Sequence, residues 1–303
     1  MSIGAPASAY VGNIRLAEKY RTGGCIMSRI SEAFAHGKAF IPFITAGYPD
    51  LETTRSVVKA AQENGADLIE IGIPFSDPTA EGAVIQNANV AALEGGVTTD
   101  QVLDFVKGLR DNDGITVPMV FMTYANVIYS YHEGGDGPMD GASGEDRGRY
   151  GFCRRCAEAG IDGLILPDVP FEEKEEFRQA CRAAGIDLIS LIAPTSEERI
   201  DMIASDADGF IYVVSSLGVT GVRTKITTDI GAITDRIRSV TDVPCAVGFG
   251  ISAPEQAAAM AALSDGAIVG SAIIKIIGKY GKNAAPEVGK YIRSMKDAVR
   301  NIS

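Results

Sequence analysis

The chain has 303 residues, 46% of them hydrophobic, which is enough for one large core and suits a single α/β barrel with additions. Its 28 basic against 39 acidic residues leave a net charge of −11, which argues against a nucleic-acid-binding surface. No run approaches the ~20 apolar residues of a membrane span. The N-terminus lacks the basic-then-apolar order of a secretion signal, so a cytoplasmic location is expected.

Residues 1–26 are weakly patterned and read as a flexible extension; the run that begins at Met27 (MSRISEAF) starts more naturally into an extra N-terminal helix. From Phe40 onward, apolar β-rich runs alternate with stretches of helical period. Strands are expected at Phe40–Thr45, Asp67–Ile73, Met119–Thr123, Gly163–Pro167, Asp187–Ile192, Phe210–Val214, Cys245–Gly248 and Gly266–Gly270. Amphipathic segments between them include Leu51–Asn64, Thr99–Arg110, Phe171–Ala184, Ser196–Ser205 and Pro254–Leu263, with Thr99, Ser196 and Ser252 as candidate caps. His132–Gly148 breaks the repeat: six glycines and five acidic residues in seventeen positions read as a disordered surface insertion.

The strands are continuous apolar runs, as expected of strands buried on both faces. Eight such β/α units within residues 27–303 point to one closed (β/α)8 TIM barrel. An open doubly wound sheet is the alternative, disfavoured because no GxGxxG follows the first strand. Five scattered cysteines include a CxxC (Cys153, Cys156) that falls in a helical stretch without a second pair, so small, semi-buried thiols are expected rather than a metal site. With His36 and His132 as the only histidines, histidine chemistry is not expected.

The stretch richest in chemistry is Glu70–Gly82 (EIGIPFSDPTAEG). Glu70 ends an apolar strand and a polar loop carries two more carboxylates beyond it, the place where parallel α/β scaffolds put catalytic groups. A buried acid with a structural partner is the competing reading of Glu70. The seventh strand ends in Gly248-Phe249-Gly250-Ile251-Ser252 and the eighth in Gly270-Ser271, glycines that let backbone approach a phosphate, or merely close tight turns. Ser215–Lys225, small residues followed by two cations, has the composition of a lid or of an ordinary connection.

These residues carry a resemblance. PFITAGYP (42–49), the Glu70–Gln86 segment with PFSDP, Tyr124-Ala125-Asn126, PDVP (167–170), GVTG (218–221), GFGIS (248–252) and GSAIIK (270–275) resemble, in that order, the α subunit of tryptophan synthase from about Met27 to the C-terminus. The resemblance implies a carbon–carbon lyase (classed with carbon–oxygen lyases in the holoenzyme). It would cleave indole-3-glycerol phosphate to indole and glyceraldehyde 3-phosphate. Glu70 matches the family's general acid/base and Glu81 the second carboxylate, which meets the indole N–H. Glu81 departs from the usual aspartate, and Thr79 and Ala83 replace the usual leucine and proline.

By the same resemblance, Tyr212, Phe43, Tyr124 and Thr220 position substrate or close over it, and Gly221, Gly250, Gly270 and Ser271 cradle the phosphate. Pro74 and Asp77 fall at the contact with a β subunit, in an α2β2 assembly to which that partner brings pyridoxal phosphate. No metal or cofactor is expected in this chain. Two other readings stay open: a weakened α subunit that only activates β, and another phosphate-binding barrel isomerase.

Overall fold

Strands whose side chains are apolar on both faces need neighbours on both faces, and here they find them by closing on themselves. The computed structural model describes residues 28–131, 144–215, 229–248 and 250–302. Among these, β1 (Ala39–Thr45), β2 (Ile69–Gly72), β3 (Met119–Met122), β4 (Gly163–Ile165), β5 (Asp187–Ile192), β6 (Asp208–Val214), β7 (Cys245–Gly248) and β8 (Gly266–Val269) pair in chain order in a closed barrel. All pairings are parallel; β1 meets β2 at Phe43↔Glu70 and returns to β8 at Ala39↔Gly266. The chain is a TIM barrel, and each expected strand is present within two residues of its expected ends.

The surrounding helices are α1 (Arg29–Ala35), α2 (Leu51–Glu63), α3 (Ala83–Glu94), α4 (Thr99–Asp111), α5 (Ala125–Tyr129), α6 (Gly144–Ala159) and α7 (Lys174–Ala184). They continue with α8 (Glu197–Ala204), α9 (Ile230–Val240), α10 (Pro254–Leu263), α11 (Ser271–Tyr280) and α12 (Ala284–Arg300). Local chemistry sets their starts. Asp50 caps α2 by accepting from the Thr53 N–H at 2.7 Å. The cap of α4 is Thr98, one residue before the expected Thr99, in a reciprocal pair with Gln101. At α10 the side chain of Gln256 accepts from the Ser252 and Ala253 N–H groups, so Ser252 lies before the cap instead of forming it.

The expected insertion is shorter than its glycines imply. Residues 144–148 belong to α6, and Gly148 is buried there because a Cβ would come within 2.6 Å of the Ile128 carbonyl oxygen. Glycine served close packing, not disorder. The expectations for residues 1–26 and 132–143 fall outside the described residues. Cys153 and Cys156 lie in α6 and are fully buried, more so than expected. The Cys153 sulfur sits 3.7 Å from that of Cys181. Burial pushes the Cys156 thiol well up, the Cys153 contact and then burial do so for Cys181, and among the described residues no group of metal-ligating side chains is present.

Ion pairs concentrate where strands begin. Asp162, just before β4, accepts from Arg110 at 2.9 Å, from Arg29 at 2.7 Å and from the Met119 N–H at 2.9 Å. Arg110 also donates to the Ile115, Val117 and Gly160 carbonyls. Lys296 of α12 reaches Asp67 at 2.6 Å and the Lys38 carbonyl at 2.9 Å. These contacts fasten the pole opposite the strand C-termini.

Candidate active site

Strand C-terminal ends carry the unusual side chains. Glu70 has no accessible surface, and neither carboxylate oxygen has a hydrogen-bond partner in the structure. Burial alone pushes its pKa up to about 8, so near neutrality it holds a proton that it can give up and regain. The structural-partner reading of this acid is thereby removed. The hydroxyls of Thr45, at the end of β1, and Thr123, just after β3, are also buried without partners.

Barrel register explains how room is made around Glu70. The Phe43 ring lies across Gly72, where a Cβ would come 2.5 Å from Phe43 Cζ, and beside Gly270, where it would come 3.3 Å from Phe43 Cβ. Tyr212 in β6 is buried, and its ring fills the space over Gly248 in the same way. Its hydroxyl is pushed well above the ordinary tyrosine range by burial first, then by Glu70 and Glu81. Tyr212 therefore stays protonated beside two acids.

Glu81 lies in the loop between β2 and α3 and is 4% exposed. Its carboxylate accepts a short hydrogen bond from the Tyr124 hydroxyl, and its backbone carbonyl accepts from Gln86 Nε2 at 2.8 Å. Burial raises its pKa, and the Tyr124 bond opposes the rise. The structure thus brings together Glu70, Glu81, Tyr212, Phe43 and Tyr124. Sequence reasoning placed Tyr124 as a wall of the pocket; its hydrogen bond to Glu81 went unread, since residues 43 positions apart give no local signal.

On the other side of the mouth, Gly250 follows β7 with φ +79°, a conformation that favours glycine. Gly270 caps α11 and Ser271, buried, is its first residue. The first turn of α11 contains no acidic residue, and the N–H groups of a helix start have no helical acceptor, so this end suits an anion. Gly221 and Thr220 lie outside the described residues. Asp77 is exposed, with Ser76 donating to it, whereas Pro74 is buried within the chain.

A cavity of about 410 Å³ opens among the ends of β3 to β6, lined by Met122, Leu166, Leu191 and Val214 and walled outside by Phe171 and Pro194. Glu70 and Glu81 are not part of its lining, although Ala80 is. Its walls are mostly apolar, and the acids, Phe43 and Tyr212 all lie outside it.

The sequence matches the protein family described as tryptophan synthase alpha chain over residues 31–300. It is 44% identical to the tryptophan synthase alpha chain of Dehalococcoides mccartyi over 274 residues, 90% of this chain and 100% of that one. The corresponding chain of Lacticaseibacillus casei is 42% identical over 90% of this chain and 96% of its own. Among solved structures, the tryptophan synthase alpha chain of Legionella pneumophila superposes with TM-score 0.76 at 34% identity, over 91% of this chain and 99% of that one. A structure of Mycobacterium tuberculosis tryptophan synthase gives 0.77 at 30% identity, over 90% and 98%.

Proposed function

The chain belongs to the tryptophan synthase alpha chain family, a family of lyase-type enzymes, and from that premise we propose that it cleaves indole-3-glycerol phosphate with Glu70 and Glu81 as its working acids. The observation that carries this reading is Glu70 itself: a carboxyl buried within β2 with no partner and a pKa of about 8 is a group kept ready for protons.

The chemistry assigns the roles. Breaking the bond to indole C3 requires a proton on that carbon, which turns the ring into its indolenine tautomer. Glu70, protonated near neutral pH, gives that proton. Its carboxylate then takes the proton of the hydroxyl on the side-chain carbon next to the ring, which becomes the aldehyde as the C–C electrons return to the indole. Glu81 accepts a hydrogen bond from N1 and stabilises the positive charge the tautomer gains. Tyr212 and Phe43 confine the ring, and Gly250, Gly270 and Ser271 hold the phosphate at the start of α11. Tautomerisation serves as the electron sink, so these steps call on no cofactor in this chain. Pyridoxal phosphate belongs with a β subunit, which would dock near Ser76 and Asp77 and take up the indole.

Indole release from indole-3-glycerol phosphate, measured with and without a β subunit, tests the proposal. Cleavage that β accelerates supports it; folded protein that stimulates β yet releases no indole in any condition would leave only an activating role. Within an active enzyme, Ser271→Ala is expected to raise KM about tenfold while kcat changes little, the pattern of a contact made equally in ground and transition states. A kcat loss as large as the KM change would remove Ser271 from the binding role.

A further inference from the structure

We infer that Tyr124 is the positioning residue for the Glu81 carboxylate and is what makes glutamate, rather than the shorter aspartate, workable at this position. The inference rests on the cleavage reading above. Tyr124 hydroxyl donates to the Glu81 carboxylate and itself accepts from the Ala80 N–H at 3.1 Å, so both lone-pair and proton directions are used. With its own pKa raised by burial and by Glu81, the phenol stays a donor.

Tyr124 is in turn held from two sides. Its ring stacks on Phe75 with centroids 5.0 Å apart and planes 26° from parallel. The next residue, Ala125, donates its N–H to the Asp168 carboxylate at 3.0 Å, which ties this corner to the loop after β4. Glu81 is pinned at its main chain by Gln86 and at its carboxylate by Tyr124. A loop side chain gains in this way the fixed geometry that a strand residue has from its register. Aspartate, one methylene shorter, leaves the phenol's reach by roughly 1.5 Å unless the loop shifts, and misplacement of about 1 Å can cost on the order of 10²-fold in rate.

The arrangement also joins two parts of the β2–α3 loop. Phe75, between Pro74 and Ser76, leans on the ring whose hydroxyl holds Glu81. A partner that presses on Ser76 and Asp77 therefore acts on a segment stacked against the Glu81 clamp.

The test is a double-mutant cycle of Tyr124→Phe and Glu81→Asp, read in kcat/KM for indole release and in Kd for the non-cleavable probe indole-3-propanol phosphate. Tyr124→Phe keeps the ring and its stack and removes only the hydroxyl; Phe75→Leu, which loosens the stack, provides a second entry to the same cycle. Each single variant is expected to lose about tenfold in kcat/KM, with unchanged thermal midpoint, and the double variant no more than the worse single. Multiplying losses, about a hundredfold in the double variant, would overturn the proposal, as would a Tyr124→Phe rate equal to that of the unaltered chain. The probe separates the two failures: if unaltered protein binds it but cleaves nothing, the catalytic reading falls and the cycle in Kd still decides the clamp. If the unaltered chain does not bind it, both fall.

Discussion

Replacing Glu70 with glutamine is expected to abolish indole release, by roughly 10³-fold or more, because the amide keeps shape and burial but can neither give nor take the proton. The same substitution is expected to change stability in the opposite sense. In the unfolded chain Glu70 titrates near 4.5, whereas in the fold it holds its proton up to about 8. Between those values the folded state binds one more proton than the unfolded state. Stability contributed by this group is therefore full below pH 4.5 and falls by up to about 1.4 kcal/mol per pH unit as pH rises toward 8. Urea midpoints at pH 5 and pH 8 should show the unaltered protein losing more stability on alkalinisation than Glu70→Gln. If both lose equally, Glu70 is not held neutral by the fold. If Glu70→Gln still releases indole at near-normal rates, another group is the acid.

The second large effect is structural and lies at the other pole. Asp162→Ala is expected to cost about 3–5 kcal/mol, since it removes one partner of a buried pair and strands the rest. Arg110 keeps its three carbonyl acceptors but loses its carboxylate, the Met119 N–H loses its acceptor, and the Asp162 and Arg110 side chains are each only 10% exposed. Chemical denaturation measures the loss. In any preparation that stays folded, kcat for indole release should remain that of the unaltered protein, because every group assigned to the reaction sits at the strand C-termini. A change in stability below about 1 kcal/mol would mean that Arg29 and Arg110 find other partners.

These two acids also show what could be read before the structure. Glu70 was legible because its neighbours are apolar and its strand is continuous; position in the barrel follows from alternation alone. Strand ends were accurate because a βα turn and a run of burial both stop there. Helix starts were less so: Thr98 and Thr99 are adjacent capping residues, and only the reciprocal bond with Gln101 separates them. Gly148 misled, because a glycine that permits close approach of two helices looks the same in sequence as one that permits a flexible loop. The bond from Tyr124 to Glu81 depends on the registry of two loops that meet only once β2 and β3 have paired.

The fastening of α12 has a consequence for how the protein is made. Its Lys296 closes on Asp67 across 229 positions, and β1 waits for β8 as its second neighbour. A chain that reaches only as far as β7 therefore holds a sheet with two open edges, and its Asp67 keeps the Phe40 N–H but lacks the Lys296 cation. Closure of the ring falls to β8, and α12 then fastens the pole where the strands begin. Removing α12 should then leave the ring of strands closed while stripping Asp67 and the Lys38 carbonyl of their cation, an effect on stability and not on topology.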